Sequence, residues 1–118
     1  MKKDEYIYLQ HMLDAIKFIE SYLSGVSFGK FLQEKLLQDG VAHELEIIGE
    51  ASRNLSDEFR EKHSEIPWSQ MISLRNKIAH VYFNVNLQII WEITQNDIPI
   101  LKHNFVNIFG KKEEEQGR

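Results

Sequence analysis

"DEYIYLQHMLDAIKFIESYL", residues 4–23, decides the fold class. Its apolar residues Tyr6, Leu9, Leu13, Ile16 and Leu23 recur at spacings of three, four and seven, which is one face of an α-helix. A stripe of that kind must be covered by other elements, and the chain downstream supplies more of the same. "SGVSFG", residues 24–29, holds two glycines and two serines and reads as a connection, after which Phe28, Phe31 and Leu32 are expected to cap the core in a short helical turn. A second long helix is expected from about Gln33 to Asn54, with Leu36, Val41, Leu45, Ile48 and Leu55 as its apolar stripe and Gly40 as a tolerated weak point. Gly49 in that helix costs about 1 kcal/mol relative to alanine, which a close approach by a neighbouring helix would offset.

Ser56 followed by Asp57, Glu58 and Phe59 has the form of an N-cap with an acidic first turn, giving a short helix to about His63. Ile66 precedes Pro67 and is held extended by it, and Pro67 with Trp68 opens a helix bearing Met71, Ile72, Leu74 and Ile78 that ends near Tyr82 or Phe83. "NVN" at 84–86 is a break, Leu87 to Thr94 resumes the helix, and Asn96 and Asp97 ahead of Pro99 predict a fresh capped start that runs to Gly110. No strand alternation and no internal repeat is present. The expected architecture is all-α, an antiparallel up-and-down bundle of four to five main helices over residues 1–110, followed by a flexible charged tail, "KKEEEQGR" at 111–118.

The chain of 118 residues is one domain by size and can close an apolar core without staples. It has no cysteine, which excludes disulfides, thiolate metal sites and a cysteine nucleophile and suits a reducing, cytoplasmic setting. Lys2 and Lys3 are followed by Asp4, Glu5, His11, Asp14 and Lys17, so no export segment is expected, and no apolar run approaches the roughly 20 residues that span a bilayer. Fourteen Lys and Arg against eighteen Asp and Glu give a formal charge of −4, which argues against a generic nucleic-acid binder working by counterion release. Contact with RNA would have to come from a local site.

"RNKIAHVY", residues 75–82, is that candidate. Cleaving RNA by internal attack needs a base for the 2′-hydroxyl, an acid for the leaving 5′-oxygen and positive charge on the phosphorane oxygens. His80 can exchange protons near neutral pH, since a free imidazole titrates at about 6.5. Arg75 supplies a permanently charged planar fork for phosphate. Five residues separate them, about 140° of helical rotation, whereas Asn76 lies four before His80 and can orient its ring. Arg75 and Tyr82, seven apart, share a face. Standing alone, these residues read as a solvated helix face with one half-buried histidine.

The chain resembles the HEPN superfamily of helical-bundle proteins, and within it the HepT-like toxins of type VII-like HEPN/minimal nucleotidyltransferase toxin–antitoxin pairs. The resemblance rests on Arg75, His80 and Tyr82 together with "IGEA" at 48–51, "IPW" at 66–68, "LRNKIAHVYF" at 74–83 and "IIWEI" at 89–93, in that order. It implies a HEPN-like homodimer acting as a metal-independent endoribonuclease with no cofactor. Arg75, His80 and Asn76 of two copies would meet at the dimer interface, with Glu50 and Lys77 lining the cleft. The implied partners are a second copy, an RNA substrate and a cognate nucleotidyltransferase antitoxin that AMPylates Tyr82; Tyr82 otherwise reads as a core-edge aromatic. Val81 departs from the glycine often found between that histidine and tyrosine. The rival reading is a non-catalytic HEPN binding module that serves as scaffold for a nucleotidyltransferase, and a third is a plain dimeric structural protein. His43, Glu46, Glu50 and Arg53 form a polar stripe read as a solvated or dimer-facing surface rather than a metal site, and His11, His63 and His103 read as surface residues. Trp68 and Trp91 are expected to anchor core or interface.

Overall fold

The computed structural model describes the backbone of residues 2–73 and 86–116 and the side chains of residues 5–73 and 86–111. Within them the chain is helical throughout, with α1 over Lys2–Leu23, α2 over Phe28–Gln33, α3 over Lys35–Arg53 and α4 over Asp57–Lys62. Residues 68–73 begin α5. A last long helix comprises α6, Leu87–Glu92, a π-helical turn over Ile93–Asp97, and α7, Ile98–Gln116. Among the described residues there is no strand.

The seam between α1 and α3 runs antiparallel, because three contacts fix its register. Tyr22 packs its ring over Gly40, where an added Cβ would lie 3.2 Å from the ring edge. Ser52 Oγ lies 3.3 Å from Met12 Sδ, and the Glu5 carboxylate accepts from the Ser56 amide at 2.8 Å. Gly40 is thus a close-approach position as well as a weak point. The predicted stripe of α1 is correct in phase: Leu9 and Ile16 are fully buried, joined by Met12 and Ile19. Helix α7 lies along the other flank of α1, also antiparallel, with Lys102 bridging to Glu20 at 3.0 Å and Phe109 against Tyr6.

Ser56 caps α4 as expected, its Oγ accepting from the Phe59 amide at 3.0 Å, and Asn86 caps α6 by accepting from Ile89. Leu36 is a correction. It is 87% exposed, while Phe31 of α2 is fully buried and Gln38 closes the α2–α3 corner by donating to the carbonyls of Phe31 and Leu32.

The capped start expected at Asn96–Asp97 is also replaced. Pro99 has no amide proton and its ring would meet the carbonyl four residues back, yet the helix does not stop. It widens instead, the Ile98 amide donating to the Ile93 carbonyl, while the Thr94 hydroxyl donates to the Trp91 carbonyl at 2.7 Å. Helix α7 likewise runs through Gly110, which takes no positive φ and therefore no left-handed stop.

Leu45 and Leu36 separate the buried from the nominal stripe. Leu45→Ala is expected to cost about 2–5 kcal/mol in urea unfolding and Leu36→Ala less than about 0.5 kcal/mol.

Candidate functional site

Arg75, Asn76, Lys77, His80 and Tyr82 lie outside the described residues. What is described is the frame that leads into them. Trp68 opens α5 with its indole N–H shared between the carbonyls of His63, at 2.9 Å, and Arg60, at 3.1 Å. Its ring stacks on Phe105 of α7 and meets Phe59 edge-on, so the entrance to the motif is tied to α4 and α7 together. Trp68 is buried and serves as the anchor expected of it. Trp91, half-buried at the end of α6, packs on Phe28 and Phe31 of α2.

Glu50 sits on an exposed face of α3, which also carries the exposed His43 and Arg53, with Glu46 half-buried. The stripe is solvated in the single chain, and among the described residues no group of acidic and histidine side chains is placed to hold a metal.

Four polar residues are buried among the described residues: Glu44, Ser52, His63 and Thr94. Three have partners. Glu44 accepts from the Tyr22 hydroxyl at 3.4 Å, Ser52 donates to the Ile48 carbonyl at 2.8 Å, and Thr94 donates to Trp91. Packing around Tyr22 and the adjacent Glu44 carboxylate raise the phenol's pKa, so the tyrosine stays protonated as the donor.

His63 is the exception, and it corrects the expectation of a surface residue. It is 8% exposed, its ring lies 4.6 Å from that of Phe59, and its Nε2 is buried without a partner among the described residues. The signal was present in the spacing, since Leu55, Phe59, His63 and Ile66 fall in steps of four, four and three. Nδ1 stands 3.9 Å from Glu65, too far for a hydrogen bond. Burial lowers its pKa; Glu65 and Glu5 work against that shift, and Lys62 and Lys111 add to it. The ring forms one wall of a polar cleft of about 310 Å³ between the end of α4 and α7.

A family model described as Ribonuclease HepT-like matches residues 12–108. The chain belongs to the HepT-like family. Its bundle is therefore a HEPN-like one, and the matched stretch takes in the described frame together with residues 75–82. The chain is 42% identical over 106 residues to a protein of Caldanaerobacter subterraneus subsp. tengcongensis named "Putative RNase", covering 90% of this chain and 95% of that one. It is 41% identical over 105 residues to the "Probable ribonuclease HepT" of Thermococcus cleftensis, covering 89% and 96%. A protein of Methanocaldococcus jannaschii named "Gamma-glutamylcyclotransferase and putative RNase" is 44% identical over 108 residues, but those span 92% of this chain and only 49% of that protein. No solved structure is significantly similar. Among the described residues no helix is long and apolar enough to cross a membrane.

In this HepT-like bundle the buried imidazole of His63 makes folding pH-dependent. Its pKa lies below the ordinary 6.5, so the stability it contributes is complete above that value and is lost as pH falls through the lowered one. Urea unfolding at about pH 7.5 and about pH 5 is expected to show a larger loss in the wild type than in His63→Phe, which keeps a ring on Phe59 and cannot titrate.

Proposed function

We propose that this HepT-like chain is a metal-independent endoribonuclease of a toxin–antitoxin pair, working as a homodimer. The observation that carries the reading is the family match over residues 12–108, which takes in Arg75, Asn76, His80 and Tyr82 in one ten-residue neighbourhood, beside relatives named as RNases over nearly their whole length.

The chemistry follows from those groups. One imidazole removes the 2′-hydroxyl proton as the oxygen attacks phosphorus, the P–O5′ bond breaks, and a second imidazole protonates the leaving 5′-oxygen, leaving a 2′,3′-cyclic phosphate. One histidine cannot be free base and protonated acid in the same turnover. A two-fold dimer supplies His80 twice, in complementary protonation states, with Arg75 of each copy on the phosphorane oxygens. Asn76 holds the imidazole in the productive orientation, and Lys77 and Glu50 line the cleft. A nucleotidyltransferase partner restrains the enzyme by transferring AMP from ATP to Tyr82. Tyr82 follows Arg75 by seven residues, a spacing that in an α-helix would put both on one face, so that the bulky anion would occupy the phosphate site and tie up the guanidinium.

With cellular RNA as substrate, Arg75→Ala and His80→Ala are each expected to slow cleavage roughly a hundredfold or more with the helical spectrum unchanged, and chelator is expected to have no effect. RNA decay equal in wild type and His80→Ala would leave a docking module in place of an enzyme. For the modification, the intact mass after incubation with the nucleotidyltransferase and ATP is expected to rise by whole AMP units, and Tyr82→Phe to abolish the rise.

A further inference from the structure

The cleft beside His63 plays no part in the chemistry above, yet three helices distant in sequence build it. Tyr6 comes from α1, Lys62 and His63 from the end of α4, and Asn104, Asn107 and Lys111 from α7. At about 310 Å³ it is at the small end of ligand sites, roughly the room one nucleotide needs, and its predominantly polar walls suit no apolar guest. Lys62 and Lys111 stand on opposite walls, both exposed, and neither is ion-paired among the described residues. Asn104 and Asn107 add two amides.

The charges facing His63 nearly cancel. Lys62 at the end of α4 and Lys111 on α7 stand against Glu65 in the turn after α4 and Glu5 on α1, and Tyr6 of α1 also lines the cleft. While the imidazole is neutral the cleft has no net attraction for an anion; once protonated it is cationic by one. Burial disfavours the charged ring on its own, so it is an anion seated in the cleft, beside the exposed Glu65 carboxylate 3.9 Å from Nδ1, that would shift the balance toward the protonated form. We propose that this cleft is a second RNA site, holding one backbone phosphodiester between Lys62 and Lys111 while His63 takes up a proton from solvent. The assignment rests on the ribonuclease reading for its choice of ligand. It accounts for how a chain of net charge −4 grips an anionic polymer: by a small site whose positive charge appears when the polymer arrives.

The test follows the His63 ring signals of the full-length protein by NMR. The probes are inorganic phosphate, 5′-AMP and a fully 2′-O-methylated tetranucleotide, which cannot undergo internal attack. The oligonucleotide is expected to shift the His63 signals, raise the midpoint of their titration, and bind more tightly at about pH 6 than at about pH 7.5. Lys62→Gln/Lys111→Gln is expected to weaken binding about tenfold, and Lys17→Gln, an exposed lysine on α1, to leave it unchanged. His63 signals that ignore the oligonucleotide, or that respond equally in the double variant, overturn the site. A response to AMP or phosphate with none to the oligonucleotide overturns RNA as its ligand. Because the probe cannot be cut, the outcome does not depend on whether Arg75 and His80 cleave anything.

Discussion

One indole N–H holds the working corner of this molecule together. Trp68 donates it to the carbonyls of His63 and Arg60, which are among the main-chain acceptors left over where α4 ends. Without that donor the Arg60 carbonyl would lose this partner, while the His63 carbonyl would keep only the Ile66 amide at 3.2 Å, and the turn through Ile66 and Pro67 would be less firmly tied to α4. Because the same ring stacks on Phe105, the bond also sets where α5 starts relative to α7. The residues proposed to cut RNA begin seven positions after Trp68 in the sequence.

Much of the bundle was legible because burial leaves a period in the sequence. The stripe of α1, the Ser56 cap with its acidic first turn, and the start of α5 after Pro67 are all local signals, and local signals survive folding. The errors share a different cause. Leu36 falls on the stripe by spacing, yet it lies at the very start of α3, beside the α2–α3 corner, and is left in solvent while Phe31 of α2 is buried. His63 has no partner at ligand spacing, which suggests a surface residue, but its place in the step of Leu55, Phe59 and Ile66 is the better guide. Asn96 and Asp97 ahead of Pro99 read as a new capped start, whereas a widened turn carries one helix through. As for the candidate site, residue types and spacing at 75–82 specify a chemistry, but pairing two copies of it is a matter of quaternary geometry that no helical period encodes.

Charge gives the functional picture its shape. A chain with eighteen acidic and fourteen basic residues cannot collect RNA by its overall field, so recognition is confined to places where cations are concentrated or can be created. Arg75 is of the first kind, permanently charged. A buried imidazole such as His63 is of the second kind, since its charge is conditional on what stands next to it. The proposed addition of AMP to Tyr82 would use the same economy of charge in the opposite direction.

The widened turn at Ile93–Asp97 bears on how the protein can change its length over generations. Ile90, Thr94 and Ile98 are all buried, although eight residues of ordinary α-helix would leave the last about 80° out of line with the first. The turn absorbs that offset, so Phe105 and Ile108 face the same interior as Ile90. A one-residue deletion here can be taken up by tightening to α geometry, at the expense of a clash at Pro99. A one-residue insertion has no comparable relief and would swing everything downstream by roughly 100°. Although it lies within a helix, this segment tolerates shortening and resists lengthening.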